Sequence, residues 1–196
     1  MVGIIEVMTA PEVSFHGLPE TVDAGDGVTL RRLTVDDVPD VVEAVNSSLE
    51  TLRPWMPWAQ EPASVEAQLE WFRSAELAWA EGTGFHYAVL VDGAIAGGAG
   101  YHVRNGPGVL EIGYWLRAGC EGQGHMTRAA RALTDTAARV DGVTRVEIHC
   151  DPANVKSAAI PLRLGYSLVG ERDAECLAPA HTGREQIWAI DAAACR

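Results

Sequence analysis

The residues best suited to chemistry lie in a glycine-rich segment, residues 119–127, which joins an apolar, strand-forming stretch to a helical pattern. The first N–H groups of a helix have no acceptor within the helix and lie at the positive end of its dipole, so they bind anions. Glycines before the helix let the backbone approach a phosphate closely. The pattern predicts an anion site formed by Gly122, Gln123, Gly124, His125, Met126 and Thr127, although such glycines also occur in simple turns.

Common nucleotide-binding and hydrolase motifs are absent from the sequence. Gly119 and Gly124 have the spacing of a Walker A loop, but His125 and Met126 replace its lysine and its hydroxyl residue. The three-glycine dinucleotide-binding pattern fails because Thr127 stands at the third position. Neither a serine nucleophile elbow nor a His-Glu-x-x-His zinc motif is present. The usual ATPase, dehydrogenase and hydrolase assignments are therefore disfavoured.

A second polar group lies downstream, where Asn154 and Ser157 begin a helical pattern that ends before Gly165. Residues three apart share one face of a helix, so both side chains can contact the same ligand. Pro161 lacks the N–H that would bond to the Ser157 carbonyl, and a bend is expected there. An alternative role for Ser157 is to cap or pack in the first helical turn.

These two segments resemble the GNAT superfamily of acyltransferases. Residues 119–124 match its motif Gln/Arg-x-x-Gly-x-Gly/Ala at both glycines, and Gly119 departs from it at the Gln/Arg position. Residues 154–166 resemble the family's Asn-x-x-Ser and Leu-Gly-Phe/Tyr segment. Three stretches are similar to the ribosomal-protein N-terminal acetyltransferases of the RimJ/RimL type: residues 52–58, 111–116 and 122–127.

The resemblance implies how a cofactor is held. In this family the pantetheine of an acyl-CoA lies between the central strand and the next strand, which splay apart. Backbone contacts from Tyr114, Trp115 and Leu116 are implied, with one N–H polarising the thioester carbonyl. Asn154 is expected to bond to the pantetheine, and Ser157 is the candidate for protonating the departing thiolate. The co-substrate is expected to be acetyl-CoA or another acyl-CoA, without a metal.

Glu111 is the candidate general base, because an amine nucleophile must lose a proton before it attacks. It lies four residues before Trp115 on the central strand, where several family members are similar in carrying a catalytic glutamate, and strand alternation puts it on the face of Gly113 and Trp115. Desolvation there would raise the pKa of Glu111, whereas a surface or hairpin glutamate would keep its ordinary pKa. Trp55, Trp58 and Trp71 either line an acceptor groove or belong to the core.

These residues are positioned by alternating strand and helix patterns. Strands are expected at residues 28–33, 85–91, 94–103, 109–116, 143–150, 166–169 and 186–190, with Asp92-Gly93 as a hairpin turn. Helical spacing joins them, so the fold class is a mixed α/β sheet. The family resemblance implies a mostly antiparallel sheet of six to seven strands, splayed at the acyl-CoA site and flanked by helices.

One domain is expected, because 196 residues can bury a single sizeable core. The resemblance covers roughly residues 28–190, which leaves residues 1–27 as an arm with at most one strand and residues 191–196 as a tail. The arm mixes prolines and glycines with acidic residues, a composition typical of loops.

Composition limits the partners. With 27 acidic and 15 basic side chains, the net charge of −12 disfavours nucleic acid and anionic membranes. The amino-terminal residues lack the basic region of a signal peptide, and no stretch is apolar enough to span a membrane, so a cytoplasmic protein is expected. Four widely spaced cysteines favour neither zinc nor disulfides, and the histidines lack the spacing of metal ligands. A homodimer is left open.

The most plausible acceptor is the α-amine of a protein or peptide N-terminus, since this branch is the one that the motifs resemble. Two alternatives stand beside it. One is a small-molecule amine or an aminoglycoside, because the branch also contains antibiotic-modifying enzymes. The other is a non-catalytic acyl-CoA-binding module that has the same glycine loop without turnover.

Overall fold

The computed structural model describes residues 14–195, which form one eight-stranded sheet with helices on both faces. The strands are β1 Thr21–Gly25, β2 Val28–Arg32, β3 Gly84–Val91, β4 Ala94–His102, β5 Val109–Leu116, β6 Arg145–Cys150, β7 Ser167–Asp173 and β8 Arg184–Asp191. The α-helices are α1 Val38–Asn46, α2 Leu49–Leu52, α3 Val65–Glu81, α4 His125–Ala137 and α5 Val155–Leu164, with 3-10 turns at Val35–Asp37, Pro57–Ala59 and Ala192–Cys195.

The fold class expected from the sequence is confirmed, and the sheet has one strand more than the six to seven expected. The additional strand is β1, which lies within the segment assigned to the arm and pairs with β2 in an antiparallel hairpin. Across the sheet the order is β1-β2-β3-β4-β5-β6-β8-β7, and among these neighbours β5 and β6 are parallel while the others are antiparallel.

The hairpin predicted at Asp92-Gly93 is confirmed. Both residues have positive φ, 49° and 85°, as a type I′ turn requires. The pairing of β3 with β4 then shifts by one residue between Val89 and Leu90, which is the signature of a β-bulge. On the side of the bulge that is farther from the turn, even-numbered residues of β3 face the same side of the sheet as even-numbered residues of β4.

The main core lies between the sheet and helices α4 and α5. Residues of β3, β4 and β5 point into it, together with the apolar face of α4, and the Tyr101 hydroxyl donates to the Leu133 carbonyl at 2.5 Å. α4 ends at Ala137, although the apolar residue Val140 continues its helical spacing. The chain continues in a tight turn in which the Val140 N–H bonds to the Ala137 carbonyl, so Val140 is still buried.

A second, smaller core packs on the opposite face of the sheet, where α1 and α3 lie. Its buried members include Val38, Val45 and Phe72, and Trp115 of β5 packs against it. The two faces of β5 therefore contact different parts of the protein. Tyr114 and Leu116 pack against the α4 side, whereas Glu111, Gly113 and Trp115 face the α1 and α3 side.

Close approach of β3 and β4 depends on Gly100. A β-carbon at this position would lie 2.2 Å from the Phe85 carbonyl oxygen, which belongs to the neighbouring backbone and cannot move aside. We expect Gly100→Ala to lower the free energy of unfolding by about 1–3 kcal/mol, the range for overpacked sites, as measured by urea denaturation. Gly170→Ala is the matched control, because its β-carbon would make an ordinary 3.9 Å contact with Ile187. Equal stabilities of the two variants would contradict this account.

Candidate active site

A gap opens in the middle of the sheet where β5 and β6 stop pairing. Their parallel register runs only through three pairs and ends at Glu111 opposite Glu147, although both strands continue. On its other side β5 stays paired to β4 with a continuous register up to Leu116, and the bulge that Gly113 would permit is not formed.

Backbone groups of β5 face this gap without a strand partner. The Arg117 N–H donates to the Ala96 carbonyl at 2.8 Å, on the β4 side. Because backbone groups alternate sides along a strand, those of Ile112, Tyr114 and Leu116 point toward the gap. Tyr114 and Leu116 were predicted to contact a cofactor through their backbone, and their position is consistent with that role. Trp115 donates on the β4 side instead, while its ring lies over Gly98.

The glycine loop lies beyond the end of β5 and leads into α4. Gly119, Gly122 and Gly124 all have positive φ, and a β-carbon on Gly119 or Gly122 would meet nothing within 4 Å. Gln123 stabilises the loop by donating from its side chain to the Gly119 carbonyl at 3.0 Å. The absence of side chains at these positions leaves open space above the backbone.

The start of α4 has N–H groups that no side chain caps. Gly124 is the N-cap residue and makes no side-chain bond, so the N–H groups of His125, Met126 and Thr127 have no acceptor in residues 14–195. The Nδ1 atom of His125 is also buried without a partner. All residues predicted for the anion site thus meet at one helix start, and their free donors fit a phosphate or pyrophosphate group.

Asn154, rather than Ser157, caps α5. Its Oδ1 accepts from the Ser157 N–H at 3.1 Å, and its amide nitrogen makes no hydrogen bond within residues 14–195. The Ser157 side chain is thereby free of the capping role that was its alternative interpretation. Both residues line the same cavity, so the structure brings together the pair that the sequence singled out.

Tyr114 holds Ser157 in a way that follows from Pro161. Because Pro161 has no N–H, the Ser157 carbonyl lacks its helical donor, and the Tyr114 hydroxyl donates to it at 3.2 Å. The same hydroxyl lies 3.2 Å from the Ser157 Oγ. Burial raises the pKa of Tyr114 well above its ordinary value, so its hydroxyl stays protonated at neutral pH. The sequence had indicated only backbone contacts for this residue.

Cys150, at the end of β6, completes this group on the other side of the gap. Burial raises the pKa of its thiol to about 11, against the smaller opposing effect of the neighbouring Ser157 and Trp188 side chains. The thiol is therefore protonated at neutral pH. It lines the cavity beside Ser157, and no motif in the sequence had pointed to it.

Glu111 is buried on the opposite face of the sheet and is held by several donors. Arg104 forms a bidentate ion pair with it, with its Nε 2.8 Å from Oε2 and its Nη2 bonded to Oε1. Asn105 donates to Oε2 at 2.9 Å and also to Glu147 at 3.0 Å. Asn105, in the turn between β4 and β5, thus hydrogen-bonds to the carboxylates of both Glu111 and Glu147.

The expectation of a raised pKa for Glu111 is wrong. Burial does favour the neutral acid, but the hydrogen bond from Arg104, the charge of its guanidinium and the electrostatic influence of the neighbouring imidazoles outweigh it, and the pKa of Glu111 is lowered. Glu111 is consequently an ionised carboxylate throughout the neutral range. It is neither a surface glutamate nor a hairpin glutamate, since only 3% of it is exposed.

Two imidazoles that sequence reasoning treated only as unsuitable metal ligands face the same cavity. His86 of β3 and His102 of β4 have ring centroids 5.7 Å apart, and His102 lies directly opposite Glu111. Burial, reinforced by His102, lowers the pKa of His86 to about 4. Burial and then the charge of Arg104 lower the pKa of His102, against the opposing effect of Glu111. Both rings are neutral at neutral pH.

The cavity has a volume of about 1010 Å³ and extends from the gap to the α1 and α3 side. Trp55, Trp58 and Trp71 line it, so they belong to a groove rather than to the core alone. The Trp58 ring meets Trp115 edge to face at 5.9 Å, and Trp71 meets His86 at 5.0 Å. These aromatic rings form its walls.

Two loops meet over the cavity. The Ala180 N–H donates to the Pro54 carbonyl at 2.9 Å, and the ring of His181 bonds to the Trp55 carbonyl at 3.0 Å. The loop between β7 and β8 is also tied down at Asp151, which accepts from the Thr182 N–H at 2.7 Å. The loop between β7 and β8 is therefore held against the segment that contains Pro54 and Trp55.

Residues 14–195 contain no group of three or more His, Cys, Asp and Glu side chains that could hold a metal ion. Over the same part of the chain, every helix is too short or too polar to cross a membrane.

Comparison with known proteins identifies the family to which this chain is similar. The family model described as an acetyltransferase (GNAT) domain matches residues 28–167. A Bacillus subtilis (strain 168) protein named "Putative ribosomal N-acetyltransferase YdaF" is 29% identical over 152 residues, which cover 74% of this chain and 81% of that protein.

Solved structures share the fold at lower identity. RimL, a ribosomal L7/L12 α-N-protein acetyltransferase in complex with coenzyme A, superimposes with a TM-score of 0.81 at 23% identity and covers 88% of this chain and 98% of its own. The microcin C7 self-immunity acetyltransferase MccE, in complex with acetyl-CoA and AMP, has a TM-score of 0.81 at 20% identity, covering 88% and 97%. At these identities the likeness establishes the fold.

The loop geometry predicts a specific binding defect. Valine at position 124 would be strained at a φ of 80°, and relieving this strain would displace the helix start with its free N–H groups. Hydrogen bonds to charged groups contribute about 1.5–3 kcal/mol, so Gly124→Val should weaken coenzyme A binding roughly 10- to 100-fold in calorimetry.

Gly142→Val is the control for this experiment. It introduces the same strain at a φ of 83° just beyond the other end of α4, where the β-carbon would lie 4.0 Å from Phe15. Its coenzyme A affinity should match that of the wild type. If a folded Gly124→Val protein binds coenzyme A with wild-type affinity, the glycine loop is not part of the coenzyme A site.

Proposed function

This chain belongs to the acetyltransferase (GNAT) domain family, and we propose that the amine it acetylates is the α-amine of a protein or peptide N-terminus. It is an acyl-CoA-dependent N-acetyltransferase that uses acetyl-CoA as its donor. The acceptor is the proposed part, and it is supported by the curated relative, which is named as a ribosomal N-acetyltransferase.

The observation that carries the proposal is the lining of the cavity. It runs from the strand gap to a wall of aromatic rings that includes Trp58 and Trp71. An extended peptide end can place its α-amine at the gap and its first side chain among these rings. The ionised Glu111 and neutral imidazoles favour the arrival of a cationic amine.

The residues that would hold acetyl-CoA are those with unsatisfied backbone donors. The N–H groups of His125, Met126 and Thr127 would bind its phosphates, with Gly122, Gln123 and Gly124 giving them access. Backbone groups of Tyr114 and Leu116, and the Asn154 amide, would bind the pantetheine in the gap. When bound, acetyl-CoA supplies the thioester from which the acetyl group is transferred.

Ser157 would hold a proton for the departing sulfur. Its Oγ lies at the gap on the α5 side, opposite the face from which the amine approaches, and the Tyr114 hydroxyl fixes its orientation. A neutral tyrosine can also replace the proton that Ser157 gives up, because burial keeps its hydroxyl protonated. Holding amine and thioester on opposite sides of one gap aligns them for direct transfer in a ternary complex.

The acceptor can be tested with matched peptides. Wild-type protein and acetyl-CoA should add one acetyl group to peptides with a free α-amine, as seen by mass spectrometry with fragmentation. The same peptides with a formylated N-terminus and a free internal lysine should stay unmodified. Preferential acetylation of lysine, of an aminoglycoside or of another small amine would overturn the proposed acceptor. Absence of free thiol release with any amine would instead indicate a binding module.

Ser157→Ala should lower turnover by about 100-fold, the lower end of general acid contributions, with acetyl-CoA affinity nearly unchanged. The reason is that a proton donor to sulfur acts only as the carbon–sulfur bond breaks. Alanine keeps the backbone N–H that Asn154 caps, so α5 stays intact. Tyr114→Phe is the companion variant, and it should lose less activity. Wild-type turnover in Ser157→Ala would leave this serine without a catalytic role.

A further inference from the structure

We propose that the imidazole of His102 accepts the proton from the incoming amine and that the Glu111 carboxylate serves as its counter-charge. The inference rests on the acyl transfer to an amine described above, and it assigns a proton acceptor that lies on β4, outside the family motifs of β5, α4 and α5. Four observations support it: the position of the ring, its free nitrogens, the saturation of Glu111 and the charges around the ring.

The ring of His102 lies over the backbone of β5 at Gly113. A β-carbon on Gly113 would be 2.9 Å from His102 Nε2 and 3.3 Å from its Cδ2, so the missing side chain is what makes room for the ring. The next residue, Tyr114, has its backbone groups in the gap. His102 Nε2 is therefore beside the point at which an amine from the cavity would meet an acyl group bound in the gap.

Neither nitrogen of His102 forms a hydrogen bond within residues 14–195. The ring packs edge to face against the ring of His86, and both residues line the cavity. The other imidazole near Glu111 has no nitrogen open to the cavity, because His149 Nε2 lies 2.8 Å from Glu147 Oε2 and its Nδ1 is buried between Glu111 and Glu185. A ring nitrogen that faces a cavity without a partner can accept a proton from a bound amine without breaking an existing bond.

Glu111 is less suited to take the proton itself. Arg104 contacts both of its oxygens and Asn105 contacts one, so protonation would disrupt an ion pair and its hydrogen bonds. Its lowered pKa makes proton transfer from an amine of pKa about 8 strongly unfavourable. As a fixed negative charge opposite His102, however, it stabilises the imidazolium that forms.

The charged and titratable groups that face His102 are His86 from β3, Arg104 from the turn and Glu111 from β5. Burial and Arg104 hold the pKa of His102 below its ordinary 6.5, so the ring is neutral and able to accept a proton at neutral pH. As the pH falls through that lowered pKa, the ring becomes protonated and activity should be lost. The midpoint of the acid limb in the pH–rate profile should therefore give the pKa of His102.

The proton balance closes with the residues present. An ammonium loses two protons on becoming an amide N–H, as the new nitrogen–carbon bond forms and the carbon–sulfur bond breaks. His102 Nε2 takes the first proton and later releases it to solvent. The second proton leaves the nitrogen as the carbon–sulfur bond breaks and replaces, on the Ser157 hydroxyl, the proton that Ser157 gives to the departing sulfur. No oxidant or further reactant is required.

The test compares three variants in a thiol-release assay with the best amine acceptor. His102→Gln should lower kcat about 100-fold with unchanged acetyl-CoA affinity in calorimetry, and activity should return as the pH rises toward the amine pKa of about 8. Glu111→Gln should lose less than tenfold and should move the acid limb to lower pH, because the carboxylate no longer stabilises the imidazolium. His16→Gln, at an exposed histidine that does not line the cavity, is the control and should keep the wild-type acid limb.

Opposite results would overturn the inference. If Glu111→Gln loses about 100-fold and His102→Gln keeps wild-type turnover and its acid limb, Glu111 is the proton acceptor. If both variants keep the wild-type profile, neither residue is. Unchanged melting temperatures and acetyl-CoA binding separate these outcomes from misfolding. Failure of the proposed acceptor is distinguishable, because it would show in wild-type product analysis, whereas the His102 effect would persist with any amine that is acetylated.

Discussion

Hydrogen bonding along β5 is asymmetric, and the site depends on this asymmetry. One edge of the strand is paired with β4 from Glu111 to Leu116, while the other is paired with β6 only from Val109 to Glu111. An unpaired strand edge inside a sheet is costly unless a ligand satisfies it, because backbone N–H and carbonyl groups require partners. The same divergence of β5 and β6 leaves a gap that is lined by Asn154 and Ser157 at the start of α5 and by His102 of β4.

The two faces of the sheet contribute different chemistry at this opening. On the α5 side, Pro161 leaves a carbonyl free, Tyr114 binds to it, and Ser157 is thereby oriented toward the gap. On the opposite face, Arg104 keeps Glu111 ionised while burial keeps the neighbouring imidazoles neutral. A fixed anion and a neutral ring side by side form an environment that attracts an ammonium and can also take its proton.

Local patterns were sufficient to predict most of the fold and half of the site. Helical and strand periodicity located every long element, and the glycines with Asn154 and Ser157 located the loop and the two helix starts, because each signal lies within one short segment. His102 could not be placed in this way. An ideal two-residue turn at Asp92-Gly93 would put His86 and His102 on opposite faces, and only the bulge between Val89 and Leu90 brings them to one side. The lowered pKa of Glu111 likewise depends on Arg104, seven residues away across a turn whose geometry the sequence does not specify.

The unpaired edge of β5 also links the stability of the protein to metabolism. A ligand that binds only the folded state stabilises it by an amount that grows with the ratio of its concentration to its dissociation constant, about 2.7 kcal/mol at a hundredfold ratio. If acetyl-CoA bonds to the unpaired edge of β5 as proposed, the fraction of molecules open to proteases should rise when the cellular acetyl-CoA pool is depleted. The abundance of the enzyme would then follow the carbon supply without a dedicated regulator, because part of one edge of β5 has no strand partner.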